Sequence, residues 1–207
     1  EVKSVIINKN VTTIGHYSFE NMTTVVSIVV PKNLAKTSAT AFIGTGYYET
    51  QLSEKGVVYL YTDGAASGNP GPGGYGVVLK CAGIQKEMSE GFALTTNNRM
   101  ELSAAIEGLS ALKEPCIVNL YSDSKYLIDG MTKGWARSWK AKGWKKSDGK
   151  PALNPDLWEE LLSLVEKHEI EYVWVKGHAG HEYNERCDRL AVAETLKYKK
   201  LSSQNAR

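Results

Sequence analysis

Asp63 and Asp123 each stand where an apolar run gives out, after "VVYLYT" and "CIVNLYS". If the two runs are neighbouring strands, both carboxylates emerge at one edge of the sheet. Glu101 precedes Leu102, the first apolar position of a helical stripe, and Asp188 lies beside Cys187 and shortly before Leu190, so both acids can flank a buried face. Four carboxylates brought to one place repel and raise each other's pKa, a cost that a multivalent cation removes. Oxygen-only donors select hard Mg2+, with Mn2+ as a substitute, over zinc. A pair of such ions sharing carboxylates can activate a water on one side of a phosphodiester and stabilise the departing oxygen on the other. Taken singly, each acid has a plainer reading: a strand-end Asp as a turn former, a helical Glu or Asp as a solvated charge.

The elements that must position these acids are legible around them. "VVYLYTD" reads as a strand, "ASGNPGPGGYG" as a glycine and proline loop, and "YGVVLKCAG" with "IQKEMSEGFAL" as a hairpin of two more strands. Leu102, Ala105, Ile106, Leu109 and Leu112 recur at intervals of three and four, predicting an amphipathic helix that Pro115 stops. "CIVNLYSD" is a further strand. "LNPDLWEELLSLVEKH" is a helix with Asn154 placed to cap it and Pro155 at its first position. "IEYVWVKGH" is a last strand, and a final helix is expected from about His181 to Leu196. The order predicts an α/β layer structure with a mixed sheet whose later strands are reached by helical crossovers.

Between Lys133 and Lys150 the chain carries Lys133, Arg137, Lys140, Lys142, Lys145, Lys146 and Lys150 against a single acid, Asp148, although the whole chain has a net charge of only +2. Trp135, Trp139 and Trp144 are interleaved at intervals of four and five, able to pack the segment down while the lysines reach outward. A solvated face is the ordinary reading of such a run. A core role for at least one tryptophan is equally open.

Residues 1–46 have a different texture. An offset of 23 pairs Val5 with Ile28, Ile6 with Val29, Lys9 with Lys32, Asn10 with Asn33 and Phe19 with Phe42, an internal repeat. Such a unit cannot bury its apolar face alone and stacks on its neighbour. "VKSVIINKNVTTIGHYSFEN" resembles the leucine-rich repeats of bacterial surface-antigen type, which implies an interaction surface for a protein partner and no chemistry. His16 reads as an exposed loop residue. Residues 47–56 read as a polar linker, 57–197 as the catalytic domain and 198–207 as a polar tail.

Composition excludes other classes. The chain has 207 residues, 42% hydrophobic and 23% charged, which rules out disorder and collagen. The longest apolar run, Val25 to Val30 interrupted by Ser27, falls short of the roughly 18 residues a spanning helix needs, so no membrane partner is expected. Cys81, Cys116 and Cys187 are odd in number and lack CxxC spacing, which fits a reducing, cytoplasmic setting and argues against zinc. A monomer is expected.

The runs "YTDGAASGNPGPGGYG", "TTNNRMEL", "YSDSKYL" and "WVKGHAGHEYNERCDRLA", in this order from Tyr61 to Ala191, resemble ribonuclease H of type 1, which cuts the RNA strand of an RNA/DNA hybrid. The resemblance implies a mixed five-stranded sheet flanked by helices. It implies that Asp63, Glu101, Asp123 and Asp188 are the metal-binding catalytic carboxylates, and that His178 in "KGHAGH" is the histidine assisting proton transfer or product departure, a role that suits an imidazole titrating near neutrality. Glu185 matches an acid that supports this site in some members, with a surface charge as its plainer reading. The basic segment matches the family's protrusion that grips the DNA strand, with Trp135 and Trp139 near deoxyribose and Lys140, Lys142, Lys145 and Lys146 on phosphates.

Telling RNA from DNA requires contacts to the 2'-OH across a wide, shallow minor groove. Asn69, Asn97 and Asn98 match the family's asparagines there, and Asn97 with Asn98 could also cap the following helix. Thr96 and Asn154 match the pocket for a DNA phosphate. This chain departs from the pattern at Leu94, where an arginine often helps that pocket, at Ala66, where a cysteine is frequent, and at Lys125, where glutamine is common and where a lysine can take a phosphate. Two other readings compete: the nuclease portion of a reverse transcriptase or transposase, and a hybrid-binding scaffold. The tryptophan-rich basic segment and the complete "TTNNRMEL" favour the cellular type, and the intact acids disfavour a pure binder.

Overall fold

A computed structural model of the chain describes residues 57–81 and 83–205 and, of the first 56 residues, 4–7, 10, 13–15, 19, 27–29 and 36–37. The expected loop His16 and linker 47–56 lie outside the described residues. The chain divides into two units, Glu1–Val57 with Cys81–Gly83, and Val58–Lys80 with Ile84–Arg207.

In the first unit, strand β1 (Ser4–Ile6) pairs in parallel with β3 (Ser27–Val29), and β2 (Thr13–Ile14) pairs in parallel with β4 (Lys36–Thr37). Ser4 faces Ser27 and Thr13 faces Lys36, so both registers run at the repeat's own offset of 23. Ile7 and Ile14 are buried and Ile6 is exposed.

The second unit is built on a five-stranded sheet. Its strands are β5 (Val57–Ala66), β6 (Gly71–Cys81), β7 (Ile84–Thr95), β8 (Ile117–Ser122) and β9 (Glu169–Trp174), in the order β7-β6-β5-β8-β9. β5 and β6 are antiparallel, whereas β8 and β9 are parallel, which makes the sheet mixed. The continuous apolar runs fill the centre: Leu60, Val77, Val78, Val118 and Leu120 are fully buried, while β7 at one edge is largely exposed. Helix α1 (Asn97–Ser110) lays Leu102, Ala105, Ile106 and Leu109 on the sheet as the stripe predicts. It ends at Ser110, well before Pro115, so Leu112 lies beyond it. Helices α2 (Lys125–Thr132) and α3 (Trp135–Ala141) follow β8, and α4 (Pro155–Val165) buries Trp158, Leu161, Leu162 and Val165. Helix α5 (Glu182–Asn205) closes the fold.

Four expectations change. The glycine and proline stretch is mostly strand: β5 reaches Ala66 and β6 begins at Gly71, because the glycines of β6 admit close neighbours and do not bend the chain. Thr96, and neither Asn97 nor Asn98, caps α1, its Oγ1 accepting from the Arg99 amide at 3.4 Å. Asn154 occupies the cap position of α4 but has left-handed backbone (φ 55°), and its side chain makes no capping bond. The last helix continues to Asn205, through most of the stretch expected as a tail.

Candidate active site

Asp63 lies late in β5, and the residue after it decides what comes near. A Cβ on Gly64 would collide with the amide nitrogen of Glu101 and come 2.8 Å from the Met100 Cβ, so α1 rests directly on the β5 backbone and delivers Glu101 beside Asp63. Asp123 follows the end of β8. The ligand oxygens of Asp63, Glu101 and Asp123 all lie within 4.8 Å of one another. Asp188, half-buried on α5, stands outside that triplet but close enough to raise the Asp63 pKa. The structure therefore brings together three of the four expected acids, with the fourth alongside.

These groups are placed at electrostatic cost. Burial, then the charges of Asp123 and Asp188, push the Asp63 carboxyl up to about 8, against a lowering bond from the Gly64 amide at 2.7 Å. Burial also holds Glu101 well above the usual carboxylate range, with Asp63 and Asp123 adding to it. Glu101 Oε1 accepts from Asn97 Nδ2 at 3.3 Å, while its buried Oε2 has no hydrogen-bond partner among the described residues. An orphaned buried carboxylate oxygen amid two further acids fits a hard divalent cation, whose charge would offset both the burial and the repulsion. Cys187, next to Asp188, is buried and its thiol is pushed up by burial, so it supplies no soft ligand.

Asp123 is held on several sides. Its Oδ2 accepts from Asn184 Nδ2 at 3.4 Å, its backbone carbonyl accepts from Trp174 Nε1 at 3.0 Å, and a Cβ on Gly177 would sit 2.5 Å from its Oδ2. His178 is exposed on the following loop with φ 53°. Glu185 Oε1 accepts from the Gly180 amide at 2.9 Å, so this acid clasps the loop carrying His178.

Of the residues expected to meet substrate, Asn97 bonds an acid of the cluster directly, through Glu101. Asn97 is exposed, Asn98 and Thr96 are half-buried, and Asn69 is exposed in the turn between β5 and β6. Asn154 Oδ1 accepts from Arg99 Nη1 at 3.5 Å, and Asn154 Nδ2 donates to Tyr126 Oη at 3.5 Å. Arg99, which the sequence reading passed over, also forks onto Asp156 at 3.0 and 2.6 Å. It ties the start of α1, next to Thr96, to the start of α4, next to Asn154. Asn184 and Trp174 were passed over too. All three sit inside the quoted motifs, but their partners are remote in sequence.

In the basic segment Trp139 packs edge-on against the buried Trp158 at 6.1 Å and tilts against Trp135 at 6.3 Å, which remains 40% exposed. Trp139 is thus packing and Trp135 is the tryptophan offered to solvent. Lys140 pairs with Glu159 at 2.6 Å, Lys133 with Asp129 at 2.9 Å and Lys150 with Asp148 at 3.6 Å. Arg137, Lys142, Lys145 and Lys146 make no ion pair among the described residues. Lys125 is exposed, its Nζ 5.3 Å from the Trp174 ring centre.

The chain is similar in sequence and fold to known proteins. The RNase H family model matches residues 55–195. Ribonuclease H of Desulforamulus reducens is 62% identical over 144 residues, 70% of this chain and 89% of its own length. Ribonuclease HI of a Synechocystis species is 59% identical over 137 residues, 66% of this chain and 86% of its own. Among solved structures, a type 1 RNase H with the type 2 active-site motif aligns with a TM-score of 0.62 at 35% identity, over 69% of this chain and 74% of that one. Another, a type 1 enzyme in complex with RNA/DNA hybrid, aligns at 0.50 and 25% identity over 68% of this chain and 97% of that one. On the extent of the family match and the identity of these relatives, the chain belongs to the ribonuclease H family.

Proposed function

We propose that this protein is a metal-dependent endonuclease that hydrolyses the RNA strand of RNA/DNA hybrids, leaving 5'-phosphate and 3'-hydroxyl ends. The observation that carries this reading is the convergence of Asp63, Glu101 and Asp123 within 4.8 Å on a chain of this family. Mg2+, with Mn2+ as its substitute, is the cofactor: Asp63, Glu101 and Asp123 would hold it, with Asp188 beside them. Bound in such a site, divalent cations supply an activated water and neutralise charge on the leaving oxygen.

The chain's own residues do the rest. Thr96 and Asn154 offer hydroxyl and amide donors to a DNA phosphate, and Arg99 joins the two helix starts that carry them. Asn69, Asn97 and Asn98 present short amides to the 2'-OH face of the hybrid. Lys142, Lys145 and Lys146 supply unpaired cations for the DNA strand, with Lys140 as the tether that holds their segment to α4. His178 moves a proton near the departing product, from a loop that Glu185 clasps. Residues 1–46 form two leucine-rich-repeat units that present a face to a protein partner, a reading supported by the 23-residue register of both strand pairs. The odd number of cysteines, Cys81, Cys116 and Cys187, and their lack of CxxC spacing support a cytoplasmic setting.

Product ends test the proposal. With a labelled hybrid, fragments formed in Mg2+ should be ligatable only through 5'-phosphate and 3'-hydroxyl, and none should form in EDTA. Ends bearing 2',3'-cyclic phosphate, or cleavage in EDTA, would overturn it.

A further inference from the structure

Trp174 is the last residue of β9, paired in parallel register with Ser122, and it is 40% exposed although both flanking residues, Val173 and Val175, are buried. Its ring is used twice. The indole Nε1–H donates to the backbone carbonyl of Asp123 at 3.0 Å, and the ring lies under the ammonium of Lys125, 5.3 Å from its centre. Asn184 fixes the Asp123 carboxylate and Gly177 leaves room for it, but neither holds its backbone; Trp174 does. Lys125 is exposed, makes no ion pair among the described residues, and opens α2, where the peptide dipoles disfavour a cation. Neither local pairing nor helix stability accounts for a lysine there. Stacking on an indole narrows its rotamers and sets its charge two residues from a metal ligand.

We infer that Trp174 is a positioning residue with two separable edges: its N–H sets Asp123, and its face aims Lys125 at a phosphodiester oxygen of the hybrid. The inference rests on the hybrid-hydrolysis reading and adds to it a coupling between metal site and phosphate grip through one side chain. It also gives Lys125 a definite task.

The test uses the full chain with Trp174→Phe, Trp174→Leu and Lys125→Gln, and the last two combined. Trp174→Phe keeps the ring face and loses the N–H. It should lower kcat about tenfold and raise the Mg2+ concentration needed for half of the cation-induced rise in Tm, with KM unchanged. Lys125→Gln should raise KM and, measured as hybrid binding in an Asp63→Asn background, reduce the salt slope by just under one. Trp174→Leu should do both, and adding Lys125→Gln to it should leave the slope where it was. If Trp174→Leu fails to fold, Trp174→Met takes its place, alone and with Lys125→Gln, in the slope measurement, and Trp174→Phe still decides the role of the N–H. A Trp174→Phe protein with the parent's kcat and Mg2+ response, or fully additive slope changes in the double variant, would overturn the inference. A parent chain that does not cut hybrids would overturn the underlying reading, whereas cleavage by the parent with indifferent variants overturns only the role of Trp174.

Discussion

Asp63 and Gly76 face each other across the β5–β6 ladder, and the missing side chain at 76 is what lets α5 approach the acid. A Cβ at Gly76 would collide with the Cys187 carbonyl and come 2.8 Å from the Leu190 Cβ, the residues on either side of Asp188 and Arg189. Gly64 does the same on the other helix, for Glu101. Two adjoining glycines thus set how closely the acids on α1 and α5 approach the acid of β5.

Gly76→Ala is expected to push α5 outward and Asp188 with it. Overpacking of this kind costs about 1–3 kcal/mol, and calorimetry should show a lower Tm. Cleavage should fall more than tenfold while hybrid affinity, read by anisotropy, stays within about twofold, since the basic segment is untouched. Parent-like turnover would mean that Asp188 tolerates the displacement.

Asp63→Asn should abolish cleavage and preserve hybrid binding. It should also stabilise the metal-free protein. The Asp63 carboxyl titrates near 8 in the folded state against 3.8 as its ordinary value, so the folded chain holds a proton the unfolded chain has lost. Stability in EDTA therefore falls as pH rises from about 4 to 8 and levels off above. The Asn variant lacks this contribution, so its stability should fall less steeply over that window, with a higher Tm at pH 7.5. An equal or steeper fall would contradict the burial of the acid.

Replacing Lys142, Lys145 and Lys146 by Ala should raise KM and reduce the magnitude of the salt slope of hybrid binding by roughly two to three, just under one per lost phosphate contact. Lys140→Ala should act differently. It breaks the pair with Glu159, which should alter the slope less while loosening the segment, read as faster backbone hydrogen exchange over α3.

Arg99→Ala removes the fork onto Asp156 and the bond to Asn154. Because the pair is largely exposed, the expected stability loss is only about 0.5–1 kcal/mol, measured by urea unfolding. KM should rise severalfold through the displaced Asn154. An unchanged KM would separate Asn154 from substrate binding.

Deleting Glu1 to Gln51 should leave specific activity nearly intact, as the family match begins at residue 55. A collapse of activity or Tm would make the repeats part of the catalytic unit's packing.

What was legible in the sequence follows from what periodicity encodes. Asp63 and Asp123 could be placed because apolar runs end at them, and Glu101 because a stripe begins beside it. Asp188 was harder, since its distance from Asp63 depends on Gly76, and close approach leaves no periodic trace. The same blindness turned the glycines of β6 into a loop. Asn154 and Thr96 show a second limit: cap chemistry identifies a helix start to within a residue, but side-chain composition does not reveal the left-handed backbone at 154 that turns its amide toward Arg99 and Tyr126. Charge counting found the basic segment but could not tell that Lys140 is spent on Glu159, a partner nineteen residues away that only tertiary packing delivers.

Converging carboxylates cut RNA paired to DNA. The most direct measurement is cleavage of a labelled strand in matched RNA/DNA, RNA/RNA, DNA/DNA and single-stranded RNA substrates in Mg2+, with the parent and the Asp63→Asn variant in parallel. Cutting should be confined to the RNA of the hybrid and lost in the variant. Cutting of other substrates at comparable rates, retained turnover in Asp63→Asn, or hybrid binding by the parent without cleavage in either Mg2+ or Mn2+ would contradict it.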